Sequence, residues 1–582
     1  MSSATNAQGF GWQHSPVAGL RQSFSNLSDL SRWAALIGGL AILTVLVVLP
    51  MAMLFYGSVR DEPPGLEGNF TLQNYAFLFT PAFGMLVLRS VVIGIGSTAL
   101  ALAIGAALGV IIVRTRVPFA EKLDALVIVP AYLPPFVGAI AWIVLLSPQV
   151  GYLNIALRSL GLPTFNIYSY GGIIWVMGLY YAPLAYLYLR PALLGIDKSL
   201  EESAMVMGAS PSVSLRRIVL PLAMPAIVAS CLVIFVNAIG DFGIPGVLGF
   251  REGIEVITTA LVRLVVKFPS DPNTATVLGI MLMAVTMLGL AVNNRILAKR
   301  DYTTLGVRGR GLGQARTGRW RYLGLTVIVA YLVIALVLPL LAMAVTSFQK
   351  FPSPKLLSSN WTLDNYRFIF SFPAIQRSIV NSIVLSFGAA AFGTVLATVL
   401  GYFTVKHGGR LTKFVDYLAM STIAVPHTVL GLGMIWFWVS VPIGIYGTKW
   451  ILLFAYVAAF FPFSLRAAVS AFMQVDNSLE EAGRVFGASW GRTMWKIVVP
   501  MIIPALLSGA TMMIYYSFRE LTASLMLYTA GSEVIATAIW ELYSEGRFVR
   551  LFALSMVNVV IVFALVALAN RLSRVGGQHG QP

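Results

Sequence analysis

The apolar residues of this 582-residue chain fall into continuous runs separated by short polar stretches, and the runs do not alternate apolar with polar. Each run is about 20 residues long, enough for a helix to cross a hydrocarbon core roughly 30 Å thick. Inside lipid a crossing segment must satisfy its own backbone, which only a helix or a closed barrel does. Continuous runs select helices over strands. Twelve spans are predicted, at roughly 33–56, 88–113, 123–147, 172–194, 223–248, 275–297, 323–347, 379–404, 414–440, 450–471, 505–528 and 550–572. The expected fold class is an all-α integral membrane protein.

Two of the polar interruptions share a spelling. Residues 199–225 read SLEESAMVMGASPSVSLRRIVLPLAMP and residues 478–504 read SLEEAGRVFGASWGRTMWKIVVPMIIP. At a constant offset of 279, Glu201 answers Glu480, Glu202 answers Glu481, Gly208 answers Gly487, Ser210 answers Ser489, and Pro221 and Pro225 answer Pro500 and Pro504. Elsewhere Asn74 and Tyr75 of a TLQNY stretch answer Asn365 and Tyr366 of TLDNY, and at an offset of 292 Arg114, Asp124 and Pro134 answer Lys406, Asp416 and Pro426. Internal repetition on this scale sets the architecture: two parallel copies of six spans, related by a pseudo-twofold axis along the membrane normal, with a path between them. The expected divisions are a tail at 1–32, a first domain at 33–297, a basic linker at 298–322, a second domain at 323–572 and a tail at 573–582. The polar leading tail and the first span read as a retained anchor rather than a cleaved signal.

The repeated stretch has the chemistry of two short helices. Ser199 with Glu202, and Ser478 with Glu481, fit a capping box, in which serine caps the helix and glutamate reaches back to it. Gly208 and Gly487 follow about two turns later, where a glycine in the left-handed conformation ends a helix. Ser210 then caps a second helix with Pro211 at its first position, a detail that Trp490 breaks in the second copy. Pro221 and Pro500 are expected to mark the start of the following span. The predicted object is a small amphipathic helix-turn-helix outside the membrane, one per half, suited to docking a soluble partner.

Charge adds orientation. Only 11% of residues are charged and 58% are hydrophobic, against about 25% charged in ordinary soluble domains. Arg295–Arg321 carries eight basic residues against the single acid Asp301, and Arg114, Arg116, Lys122, Arg216, Arg217, Lys406, Arg410, Lys413, Arg492, Lys496, Arg571 and Arg574 fall on the same side. Basic loops stay in the cytoplasm, so both termini and both repeated stretches are expected there. That rule accounts for the net charge of +17 without a nucleic-acid partner. The single Cys231 makes no intrachain disulfide, and His14, His407, His427 and His579 show no metal-ligand spacing. No phosphate loop of the GxxxxGK[ST] kind occurs. The chain is therefore not expected to be an enzyme, and it implies no cofactor.

On these residues the two stretches, at 197–225 and 476–504, resemble the EAA loop of binding-protein-dependent ABC importer permeases, with Ser203 standing where the family pattern has alanine and Gly483 where the first copy has Ala204. The resemblance covers nearly the whole chain as two fused permease domains. It implies the type I ABC importer fold and the inner membrane of a bacterium as location. It also implies a separate ABC ATPase, expected as a homodimer, and a periplasmic or extracellular substrate-binding protein as partners beside membrane lipid. Carried over by position, Glu201, Glu202, Gly208, Glu480, Glu481 and Gly487 form or shape the contact that couples ATP hydrolysis to rocking of the spans.

Cargo chemistry is sought among polar residues inside apolar spans, which are costly there. At the 279 offset Asp241 lies opposite Glu520, each late in a fifth span. Two acids facing one path suit a cationic cargo; the alternative puts both at the outer interface, with Glu520 neutralised by Arg519. Gly240, Gly243 and Pro245 favour a broken helix at Asp241. Asn237 and Arg519 complete the candidate path, Arg190, Asn237 and Arg466 also read as interfacial or structural, and His427 reads first as a packing residue. The stretches DFGIPGVLG and SFRELTASLMLYTAGSEVIATAIWELYSEGRF are most similar to permeases of the iron(III) group, so ferric iron is the expected cargo, with thiamine, polyamine or 2-aminoethylphosphonate as alternatives on the same machinery. An ion-gradient-driven secondary transporter is the alternative from another class.

Overall fold

The computed structural model describes residues 33–298, 320–354, 358–406 and 410–578. The predicted tail at 1–32, nearly all of the linker and the last four residues lie outside them, with His14, His407 and His579. Among the described residues ten helices are long and apolar enough to span a membrane, and two bent pairs bring the number to twelve if each is one span. The bent pairs are the third spans, Ala120–Tyr132 with Pro135–Leu146 at 90° and Phe414–Ala424 with His427–Ser440 at 111°. Continuous helices are predicted there. The breaks fall at Pro134 and Pro426, because a proline removes a backbone donor and disfavours helical geometry in the residue before it.

Carbonyls freed by such breaks must find donors inside the membrane. At the first break Tyr515 of the second half donates its hydroxyl to the Ala131 carbonyl. At the second, Thr286 of the first half donates to the Ala424 carbonyl at 2.5 Å. Each half thus completes the backbone of the other. The first spans interlock the halves further. Leu49–Ser58 packs on His427–Ser440, and Leu338–Ser347 packs on Pro135–Leu146. Close approach is made by glycine: a Cβ at Gly57 would come within 2.5 Å of Trp436, and one at Gly433 within 2.7 Å of the Pro50 carbonyl.

The TLxNY repeat acquires a role at the end of these first spans. Asn74 donates to the Ser58 and Arg60 carbonyls, and Tyr75 and Ser58 share a hydroxyl hydrogen bond of 2.8 Å. Asn365 donates to the Ser347 and Gln349 carbonyls, and Tyr366 pairs with Ser347 at 2.8 Å. In both halves one amide satisfies the carbonyls that a helix leaves open at its C-terminus.

The fifth spans differ from expectation at both ends. They run Pro211–Gly240 and Trp490–Arg519, starting a dozen or more residues before the predicted positions and stopping where Asp241 and Glu520 begin. The second helix of the predicted helix-turn-helix is therefore the first part of the span itself. Pro221 and Pro500 do not interrupt it because a π-helical turn, at Leu215–Val219 and Met494–Val498, precedes each. The first spans repeat the device, with turns at Thr44–Val48 before Pro50 and Val333–Val337 before Pro339. A wider turn absorbs the missing donor and the ring clash that a proline brings to an α-helix.

Candidate functional site

The short helices are Lys198–Val206 and Asn477–Val485. Their caps are not the predicted serines. Asp197 accepts the Ser199 N–H at 2.9 Å and Asp476 accepts the Ser478 N–H at 2.8 Å. A carboxylate at the N-cap satisfies the free N–H and meets the positive end of the helix dipole. The Ser478 N–H in turn holds the Asp476 carboxyl below the usual carboxylate range. Gly208 and Gly487 end the helices with φ of +88° and +75°, a conformation that a side chain penalises. Ser210 and Ser489 open the following helices, although the Ser210 hydroxyl pairs with Ser212 instead of the backbone.

The paired glutamates divide their work. Glu201 turns inward to Arg114, the last residue of the second span, at 3.0 Å, and the same guanidinium donates to the Leu193 carbonyl at 2.8 Å. Glu480 meets Lys406 at 3.4 Å and accepts the Tyr402 hydroxyl at 3.0 Å, while Lys406 also donates to the Val475 carbonyl. The first glutamate of each copy therefore fastens the short helix to the ends of the second and fourth spans rather than offering itself to a partner. Glu202 and Glu481 are exposed. Beside them Val206 and Met207 are 89% and 88% exposed, and Val485 and Phe486 are 83% and 89% exposed. Those apolar tips were missed in the sequence because they sit inside a stretch read for its charges.

The departures at Ala204 and Gly483 are explained by volume. A Cβ at Gly483 would lie 2.7 Å from the Thr493 hydroxyl. The first half has the smaller Ser214 at the position of Thr493 and carries Ala204. The contact between the short helix and the fifth span is filled in each copy by a different pair.

Asp241 and Glu520 line one cavity of about 220 Å³ between the halves, with Asn237, Arg519, Tyr181, His427, Phe460 and Tyr516 also on its wall. The two acids thus share one cavity wall. Asp241 accepts the Gly243 N–H at 2.7 Å and the Tyr181 hydroxyl at 3.0 Å. Glu520 accepts the Ala523 N–H at 2.8 Å and pairs with His427 Nδ1. Its partner is thus His427 and not Arg519, and His427 is more than a packing residue. Arg519 donates to the Tyr515 hydroxyl and lies over the Tyr515 and Tyr516 rings at 5.0 and 5.8 Å. Asn237 donates to the Val233 carbonyl of its own helix. Arg190 binds Asp124 through two nitrogens at 2.6 and 2.7 Å, and Arg466 meets Asp416 at 3.3 Å; both are structural ties between third and fourth spans. Among the described residues no three His, Cys, Asp or Glu side chains come together as a metal site.

The cavity wall follows the repeat by position and departs from it in chemistry. At the 279 offset Tyr181 answers Phe460, Asn237 answers Tyr516, Gly240 answers Arg519 and Asp241 answers Glu520; at the 292 offset Pro135 answers His427. The first half holds its carboxylate with a tyrosine where the second has phenylalanine. The second holds its own with a histidine where the first has proline.

The chain matches the family described as binding-protein-dependent transport system inner membrane component twice, over residues 101–302 and 391–575. It is 28% identical over 480 residues to the ferric transport system permease protein FbpB of Actinobacillus pleuropneumoniae, covering 81% of this chain and 68% of that one. It is 23% identical to the Fe(3+)-transport system permease protein FbpB 2 of Haemophilus influenzae, covering 88% and 93%. The spermidine/putrescine transport system permease protein PotC of Haemophilus influenzae is 24% identical over 251 residues, 43% of this chain and 94% of that one.

Proposed function

We propose that this chain, which belongs to the family of binding-protein-dependent transport system inner membrane components, carries ferric iron inward by alternating access, driven by a separate ATPase. In this reading residues 33–297 and 323–572 are fused permease domains joined by the basic linker, and both short helices and both termini face the cytoplasm. Each short helix seats its apolar tip in one subunit of an ATPase homodimer, with Glu202 and Glu481 at the contact and Glu201 and Glu480 behind it. A substrate-binding protein delivers cargo on the opposite face. The path runs between the halves past Asn237, Asp241, Arg519 and Glu520.

The observation that carries the reading is the pair of exposed apolar tips, each rigidly fastened to span ends by an ion pair on the basic side of the protein. Force applied there reaches the fifth spans, which end at the two cavity carboxylates. Iron as cargo is supported by the two ferric permeases similar over most of the chain.

Proteoliposomes holding the chain, its ATPase and its binding protein are expected to accumulate radioactive iron only with ATP. Uptake by the chain without any ATPase would sink the reading. Accumulation of a polyamine and not of iron would overturn the cargo and leave the machinery standing.

A further inference from the structure

The carboxylates that suggest a cation path are already occupied by the protein. Asp241 accepts the Gly243 and Ile244 N–H groups and the Tyr181 hydroxyl. Glu520 accepts the Ala523 N–H and holds His427. Neither has the bare oxygens of a metal ligand, and among the described residues no three His, Cys, Asp or Glu side chains come together as a metal site.

Arg519 is different. It lines the same cavity, forms no ion pair with either acid among the described residues, and its Nε is buried without a hydrogen-bond partner. Its one side-chain acceptor is the neutral Tyr515 hydroxyl. The rings of Tyr515 and Tyr516 stabilise a cation above their faces, but a ring face is a much weaker acceptor for the guanidinium fork than an oxygen. Asp241 and Glu520 share its cavity but neither bonds it directly, so its planar fork is left to match the two oxygens of a carboxylate, phosphate or phosphonate.

We infer that the transported species presents an oxyanion to Arg519, so that the cavity reads an anionic ligand of the cargo and not a bare cation. This rests on the importer reading and refines its substrate: iron crosses as a complex that keeps an oxyanion. The pseudo-equivalent residue Gly240 has no side chain, so the halves supply one anion seat and not two. Tyr181 and His427 are positioning residues, since each holds one of the two acids that share the cavity with Arg519.

The test uses the purified full chain in nanodiscs, with no ATPase present, so failure of the coupling reading cannot imitate failure of this one. Three probes are titrated: inorganic phosphate, citrate alone and ferric citrate. Arg519→Gln is expected to weaken binding of the oxyanion probes roughly tenfold or more, the size of one lost charge-assisted hydrogen bond. Arg519→Lys is expected to recover part of it, and Asp241→Asn to tighten it a few-fold by removing a nearby negative charge. Binding of ferric citrate but not of citrate or phosphate would assign the oxyanion to the metal complex; binding of all three would assign the seat to the free anion as well. The inference is overturned if Arg519→Gln binds every probe as the parent does. It is also overturned if Asp241→Asn and Glu520→Gln abolish binding of ferric citrate while Arg519→Gln strengthens it. Loss in Arg519→Gln that Arg519→Lys does not recover, together with a lowered unfolding temperature, would make Arg519 a structural residue only.

Discussion

The docking stretches and the cavity belong to the same internal repeat and use it in opposite ways. In the docking stretches residue types recur with position: a capping aspartate, an inward glutamate on a base, an outward glutamate, a left-handed glycine and an apolar tip. In the cavity the positions recur while the chemistry changes, tyrosine for phenylalanine, proline for histidine, glycine for arginine. The proposed function gives this difference a reason. On the proposed function, two equal ATPase subunits would demand the same surface twice, whereas one cargo between the halves would see both walls at once and let each supply a different group. How far a repeat keeps its chemistry therefore reports the symmetry of the thing it binds.

The largest expected effect breaks the docking side. Gly208→Val and Gly487→Val force a β-branched residue into a left-handed backbone, at a cost on the order of 1–3 kcal/mol, and move the apolar tip. Each is expected to reduce binding-protein-stimulated ATP hydrolysis to near its basal rate while the protein still inserts, measured on reconstituted transporter. Unequal losses in the two variants would contradict equivalent docking.

A smaller effect sharpens the cavity side. Removing the hydrogen-bond partner in His427→Phe is expected to slow uptake roughly tenfold, because the buried Glu520 carboxyl is left with only its backbone donors. Adding Phe460→Tyr, which copies the Tyr181 arrangement of the first half, is expected to restore part of that rate. Tyr181→Phe alone removes one hydrogen bond from an acid that keeps its backbone donors, and uptake is expected to fall only a few-fold. Equal effects of His427→Phe and Tyr181→Phe would argue that the walls are chemically equivalent after all.

The smallest effect concerns packing behind the docking helix. Gly483→Ala crowds Thr493 and is expected to destabilise the chain by about 1–3 kcal/mol. Adding Thr493→Ser recreates the Ala204 and Ser214 pair of the first half and should recover most of that loss, read by thermal unfolding. No recovery would show that the two copies are not packed alike.

Much of this was legible in the sequence. Continuous apolar runs located the spans, because lipid leaves helices as the solution for a continuous run. The 279 offset paired Asp241 with Glu520, and Gly208 with Gly487 declared where the short helices end. What escaped notice did so for physical reasons. Pro221 and Pro500 read as the starts of the fifth spans, since periodicity does not announce the π turns that let the helix run through them. The aspartate caps precede the serines by two residues, and a charged glutamate gives no sign of whether it faces a partner or a base on a distant helix. His427 follows the 292 register while Glu520 follows the 279 register, so a single repeat alignment does not bring them together; only folding does.

One uptake assay separates interchangeable docking tips from a non-interchangeable cavity wall. Two exchange variants are compared in ATP-driven proteoliposomes: Met207→Phe with Phe486→Met at the tips, and Tyr181→Phe with Phe460→Tyr in the cavity. The tip exchange is expected to keep uptake within about twofold of the parent, and the cavity exchange, which takes the hydroxyl from Asp241, to lower it about fivefold, about 1 kcal/mol. Uptake lost in the tip exchange and kept in the cavity exchange would contradict that distinction.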